Sequence, residues 1–245
     1  MITTYNSGNW KNLHEATSLT PERTAPCPVI GDYLSRGIPL LTNTPTHETI
    51  GLDIGFGLGR NTMFLLEQNY CRHFVGVDQT EVALQKGRSH AELRGLRDRC
   101  DFFLSIAGSP FPFQDDSFDF AMDVMAPLTF ISNPESRRTY GREICRVLRP
   151  GGIFFVFTGR FGGEVYDKLD MCAENEPGTF RRSMDGTAEN VYKETEIRNL
   201  FPSLDPVILE PQSRYIRAFG EQELLRPGGF WFGVFRKPQR SLVSE

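Results

Sequence analysis

A chain of 245 residues with 27 Lys and Arg against 31 Asp and Glu is long enough for one well-buried core. Its net charge of −4 lacks the broad cationic field a polyanion requires, which argues against nucleic acid as substrate. Five cysteines (Cys27, Cys71, Cys100, Cys145 and Cys172) stand singly, with no Cys-x-x-Cys and no histidine pair at ligand spacing, so neither a disulfide framework nor a metal site is expected. No apolar run approaches the roughly 18 residues of a membrane span, and Met1–Gly8 shows no basic-then-apolar leader. A soluble, cytoplasmic protein without membrane contact is the expectation.

Apolar runs alternate with amphipathic ones, as a parallel sheet with crossover helices requires. Five parallel strands are expected at Thr49–Ile54, His73–Asp78, Cys100–Ala107, Phe118–Val124 and Ile153–Thr158, several of them apolar at consecutive positions as doubly covered strands must be. Helices are expected at Asn61–Asn69, Glu81–Arg94 and Pro134–Leu148, the last with proline in its first turn and Gly151-Gly152 beyond its end. Arginine clusters at Arg94, Arg97 and Arg99 and at Arg137, Arg138 and Arg142 follow helical spacing and read as solvated faces.

The most informative stretch is Leu52-Asp53-Ile54-Gly55-Phe56-Gly57-Leu58-Gly59-Arg60-Asn61, which closes a strand, places three glycines in five positions and opens a helix. Glycine lets the backbone take positive φ and approach a ligand closely, while the helix start offers unpaired amides. The dinucleotide spacing G-x-G-x-x-G is not met, since Arg60 stands where the third glycine belongs, and no Gly-Lys-Ser/Thr makes a phosphate loop. Asp53, just before the glycines, would repel a pyrophosphate and suits an ammonium group.

This segment resembles motif I of the class I S-adenosylmethionine-dependent methyltransferases. Val75-Gly76-Val77-Asp78, Phe111-Pro112-Phe113 with Ser117-Phe118-Asp119, and Arg146-Val147-Leu148-Arg149-Pro150-Gly151-Gly152 follow in the family's order, so that the likeness runs from about Ile50 to Phe157. The resemblance implies an α/β fold: a doubly wound, seven-stranded, mostly parallel sheet whose last strand is antiparallel, with Pro206–Leu209 and Phe230–Phe235 as the final two strands. It implies one methyltransferase domain over 1–245: an N-terminal lid (1–45), a cofactor-binding core (46–158), a substrate cap (159–192) and a C-terminal part completing the sheet (193–245).

For the cofactor, S-adenosyl-L-methionine, the resemblance implies a site of Asp53, Gly55, Phe56, Gly57, Asn61, Asp78, Gln79, Ala107, Gly108 and Met125. Asp53 and the glycine backbone would hold its amino-acid end, and Asp78 its ribose diol. Ala107 stands where many relatives carry an acid for the adenine amino group, so adenine recognition falls to backbone groups or to a neighbour such as Ser109.

Asp123, at the end of the fourth strand, is the first candidate for a catalytic contact to the acceptor, with a solvated loop acid as its equal alternative. His14 is the one histidine in a segment expected to face the reaction centre. Tyr5, Trp10, Phe161, Tyr166 and Tyr192 are candidate substrate contacts. Of these, Phe161, Tyr166 and Tyr192, with Phe180, Met171 and Met184, would serve equally as the cap's own small core.

The function expected is methyl transfer to an O, N or C atom of a small-molecule acceptor, by alignment and desolvation. Two alternatives stay open: a non-methylating cyclisation or rearrangement on the same fold, and a non-catalytic cofactor-binding partner. The expected partner is a small molecule, with a homodimer left open as the assembly.

Overall fold

The computed structural model describes residues 7–36, 48–162, 178–181, 187–216 and 224–239. Three helices precede the sheet: α1 (Ser7–Ala16), α2 (Pro21–Thr24) and α3 (Pro28–Ser35). Strand β1 (Ile50–Ile54) leads through the glycine turn into α4 (Arg60–Glu67), β2 (His73–Asp78) into α5 (Glu81–Leu93), and β3 (Cys100–Leu104) into a long loop. Strand β4 (Phe118–Val124) is followed by α6 (Pro127–Phe130) and α7 (Pro134–Val147), then β5 (Leu148–Arg160). The chain closes with β6 (Thr179–Arg181), β7 (Ala188–Tyr192), α8 (Glu194–Leu200), β8 (Asp205–Ile216) and β9 (Leu224–Arg236).

The order β3-β2-β1-β4-β5 is parallel throughout, with Leu52 level with Val75 on one side and Ala121 on the other. Strand β9 runs antiparallel along β5, from Ile153 opposite Arg236 to Gly159 opposite Phe230, and β8 lies antiparallel outside β9. These seven strands are the expected mostly parallel set with an antiparallel last strand, but the sheet has nine: β7 pairs with the end of β5 and β6 with β7, two strands beyond the seven expected.

Successive residues of β5 serve opposite faces, as period-two geometry dictates. Phe155 and Phe157 join α3, α4 and α5 in one core, while Phe154 and Val156 join α7 and α8 in the other. Because both faces are covered, the strand reads as an unbroken apolar run. Each fully buried phenylalanine contributes about 1.5–3 kcal/mol through its apolar area. A register shift between Phe118 and Phe120 puts Phe118 on the α7 side while Phe120 faces α3.

Two expected segments are divided by the structure. Of the proposed lid 1–45, Val29, Ile30 and Tyr33 on α3 are fully buried in the sheet core, with Tyr33 stacked on Phe155 and its hydroxyl hydrogen-bonded to that of Tyr70 at 2.7 Å. Among the described residues of that segment, only α1 reaches the cleft described below. Of the proposed cap 159–192, Ala188–Tyr192 form β7, buried throughout and paired to the end of β5 at Gly159 and Arg160. Buried Glu189 and Asn190 interrupt the apolar pattern there, which is why no strand period shows in the sequence.

The residues that carry the resemblance after motif I do structural work. The Asp119 carboxylate accepts the Ile50 amide at 2.9 Å and an Arg149 guanidinium N–H at 2.8 Å, joining the starts of β1, β4 and β5. Arg146 donates to Glu143, Asp115 and the carbonyls of Phe111 and Phe113, and so fastens the loop before β4. Among the described residues, no helix is long and apolar enough to cross a membrane.

Where α7 crosses α8, Gly141 lets the backbones touch: a Cβ at that position would lie 2.0 Å from the Leu200 carbonyl oxygen. In an open helix, Gly→Ala gains about 0.5–1 kcal/mol. Gly141→Ala is expected to reverse that sign and lower the thermal midpoint by several degrees. A midpoint that rises would refute the contact.

Candidate functional site

The cleft opens at the carboxyl ends of β1, β2 and β4, where the chain order reverses, the place at which open α/β sheets receive ligands. It holds about 930 Å³ of empty space, partly open to solvent.

The glycine turn forms its floor. The Gly55 amide donates to the Val77 carbonyl at 2.7 Å, so the turn starts by bridging to β2. Gly55 has φ +72°, and a Cβ there would lie 2.5 Å from Pro127, so only glycine permits this approach of β1 to the segment after β4. At Gly57 (φ +57°) a Cβ would meet only His14, at 3.5 Å, so the backbone there is bare toward the cleft. From behind, His90 on α5 donates through Nδ1 to the Leu58 carbonyl at 2.8 Å and holds the turn.

Asp78 ends β2 on the cleft wall. Its Oδ1 accepts both the amide and the hydroxyl of Thr80, each at 3.0 Å, while Oδ2 receives the Gly57 amide at 3.2 Å. A carboxylate offers about four acceptor positions, which leaves capacity on Oδ2 for a ligand hydroxyl. Thr80 in turn caps α5 by accepting the Ala83 amide.

Beneath the wall lie two further carboxylates, Asp53 and Asp123. Burial pushes Asp53 up to about 7, opposed by the Thr62 hydroxyl it accepts at 2.6 Å and reinforced by the charges of Asp123 and Asp78. Asp123 is raised to about 6, again by burial, against the hydrogen bonds it receives. Among the described residues, none of the three acids has a lysine or arginine at ion-pair distance. Asp53 therefore titrates near neutral pH, with the Arg60 charge acting against its rise, and a cationic ligand that favours the ionised carboxylates is the kind this floor suits.

The opposite wall is apolar. Trp10 of α1 meets Phe130 of α6 edge-on at 4.7 Å, and Met125, Ile131, Ile106 and Pro127 extend the surface. Met125 holds φ +51°, an uncommon conformation for a side-chain-bearing residue and one that clusters at ligand sites. His14 is the one histidine on this wall, its pKa lowered by burial and by the nearby Lys86 charge, against the raising influence of Asp78.

Of the residues expected from sequence, Gly55, Gly57, Asp78, Gln79, Ala107, Met125, Trp10 and His14 meet on this cleft. Others do not, each for a physical reason. Asp123 makes no free contact toward an acceptor: its oxygens accept the amides of Ala126 (3.1 Å) and Leu128 (2.9 Å) and the Tyr140 hydroxyl (2.7 Å), so it anchors the segment after β4. Asp53 is spent on Thr62 below the surface and acts on the cleft through its charge alone. The Phe56 ring is buried against Phe102, and Asn61 accepts the Cys27 amide at 2.9 Å. Gly108 is turned against Ser136, 2.7 Å from where its Cβ would be.

Tyr192 is buried with its hydroxyl donated to the Leu128 carbonyl at 2.6 Å, beside a separate depression between α7 and α8. Phe161 lies away from the cleft, under the Lys193 ammonium at 5.1 Å. Tyr5, Tyr166, Met171 and Met184 lie outside the described residues, as does the side chain of Phe180.

Sequence reasoning missed Ser105, Phe130, Asn133 and Ser136 on the wall. Asn133 was detectable as the residue capping a helix that opens with Pro134, and its side chain accepts the Ser136 amide at 2.9 Å. Ser136 lies against Gly108, and Asn133 and Ser136 line the same cleft as Ala107.

Removing the Asp123 carboxylate orphans two amides and a buried phenol. Asp123→Ala is expected to cost about 3–5 kcal/mol in chemical denaturation, against under 1.5 for Tyr140→Phe; equal costs would deny the anchor. Because the folded pKa of Asp53 lies above its ordinary 3.8, its contribution to stability is full below pH 4 and is lost as pH rises through about 7. Asp53→Asn should therefore match the unaltered chain near pH 4 and exceed it in stability at pH 8. A gap that is constant with pH would contradict the shift.

A methyltransferase-domain family matches residues 52–152, from within β1 into β5. The erythromycin 3''-O-methyltransferase of Saccharopolyspora erythraea is 31% identical over 105 residues, 43% of this chain and 33% of that protein. The chain spans about a third of the length of the curated relatives it matches. Among solved structures, a SAM-dependent methyltransferase from Methanosarcina mazei has a TM-score of 0.67 at 21% identity, covering 88% of this chain and 99% of that one. The cyclase SpnF has a TM-score of 0.59 at 21% identity, covering 85% and 81%. These structural likenesses speak to fold alone. With motif I, the order of the sheet and the domain match in agreement, residues 52–152 form a methyltransferase domain, set in a chain whose fold is that of the class I S-adenosylmethionine-dependent methyltransferases.

Proposed function

We propose that this chain transfers a methyl group from S-adenosylmethionine to an O, N or C atom of a small-molecule acceptor with an apolar body. The observation that carries the reading is the grouping of Asp53, Asp78 and Asp123, with no lysine or arginine at ion-pair distance among the described residues, under a cleft whose other wall is Trp10, Phe130 and Met125. The cofactor fits this donor set: Asp78 for the ribose diol, the Gly55–Gly57 backbone for the amino-acid end, and Asn133, Ser136 and the Ala107 backbone for the adenine edge. When bound, it supplies a methyl group on sulfonium that is already activated for displacement.

What the protein then contributes is alignment and exclusion of water. The apolar wall desolvates the acceptor, and the acid floor favours positive charge. His14, kept neutral near pH 7 by its lowered pKa, can take the proton of a hydroxyl acceptor through its imidazole nitrogen. The likeness to an erythromycin 3''-O-methyltransferase supports an acceptor hydroxyl and the equal likeness to sterol 24-C-methyltransferases an acceptor carbon, and the net negative charge of the chain supports an uncharged or cationic metabolite over a polyanion. The likeness to SpnF lies in the fold, and among the described residues no side chain favours cyclisation over transfer.

Calorimetry should show S-adenosylhomocysteine binding that Asp78→Ala weakens on the order of 10- to 100-fold, the range for a hydrogen bond to a charged group. Undetectable binding by the unaltered chain would end the reading. With an isotopically labelled methyl donor and a metabolite extract, a labelled small molecule is expected in the mass spectrum, whereas a product without new methyl would favour rearrangement. Turnover of a hydroxyl acceptor should fall on the acid side below pH 6.5, and His14→Gln should flatten that limb; an unchanged limb would remove His14 as base.

A further inference from the structure

Helix α1 is held over the cleft by more than its apolar contact. The carbonyls of His14 and Glu15 in its last turn, and of Thr17 just beyond, all accept from Nζ of Lys86 on α5. The last carbonyls of a helix have no partner within it and carry the negative end of its dipole, so an ammonium with three donors answers both needs. Among the described residues, Lys86 has no carboxylate partner, which leaves these carbonyls as its ligands.

The other half of α1 is fixed by Trp10 against Phe130, and between the two fastenings the His14 ring faces Gly57. The same helix that holds Lys86 is capped by Thr80, the residue bound to Asp78, and carries His90, which holds the glycine turn. Residues 86 and 90 lie one turn apart, so one face of α5 grips both the lid and the floor.

We propose that Lys86 is a positioning residue that latches α1 as a lid over the cleft and thereby sets how fast a nucleoside ligand enters and leaves. The second part rests on the reading of the cleft as the cofactor site; the latch itself does not. A ligand seated on Asp78 and Gly57 has α1 on its far side, so its release requires the bonds to one ammonium to break.

Lys86→Met keeps the aliphatic stem and removes the charge. Hydrogen exchange of the α1 amides should quicken on the order of 10- to 100-fold, the scale of hydrogen bonds to a charged group, with β1, β2 and β4 unchanged. Trp10 and Trp231 are the two tryptophans of the chain, so in a Trp231→Phe background Trp10 fluorescence reports the lid, and S-adenosylhomocysteine release should quicken about tenfold. Lys86→Arg should restore both. Unchanged α1 exchange, or an equal rise throughout the chain, would overturn the latch. Faster α1 exchange with an unaltered release rate would overturn its control of ligand traffic. Failure of the unaltered chain to bind S-adenosylhomocysteine would instead strike the functional reading, leaving exchange to decide the latch.

Discussion

The site depends on one carboxylate, that of Asp78, which is shared between a strand end, a helix cap and a glycine turn. Its bonds to Thr80 fix the start of α5, and its contact with the Gly57 amide fixes the turn after β1. Everything at the cleft is referred to those two points: the Leu58 carbonyl through His90, the lid through Lys86, and the close approach of Gly55 to Pro127. A group that orders the scaffold in this way cannot be removed without loosening the site, so ligand affinity and local order are coupled through the same oxygens.

The acid floor sets stability against binding. Three carboxylates held near one another, with no lysine or arginine at ion-pair distance among the described residues, raise the free energy of the fold above the pKa values of the buried pair. A cationic ligand relieves that cost, so part of its affinity is stored in the protein before it arrives. Met125, held at positive φ on the cleft wall, belongs with them as a local cost at the site.

Much of this could be read from residues alone, because the signals were local. The glycine spacing and the apolar runs follow directly from backbone sterics and from burial on both sheet faces, and β2 and β4 fall on their expected bounds. Asp123 misled because a carboxylate at a strand end looks alike whether it meets a ligand or two amides and a phenol, and Tyr140 lies 17 residues away in sequence. Tyr192 misled because Glu189 and Asn190 hide a strand whose polar groups are satisfied internally: Asn190 donates to the Leu128 and Ile131 carbonyls. The wall formed by Phe130, Asn133 and Ser136 depends on where the α6–α7 segment folds back, a tertiary fact with only a helix cap as its local trace.

The central claim is that Asp78 and the bare Gly57 backbone receive a nucleoside ligand, and amide chemical shifts test it most directly. Titration of S-adenosylhomocysteine into the isotopically labelled chain should move the amides of Gly57, Asp78, Gln79, Ala107 and Ser136 while leaving Asn190, Tyr192 and Asn199, beside the depression between α7 and α8, in place. Shifts gathered at that depression, with Gly57 and Asp78 unmoved, would contradict the account.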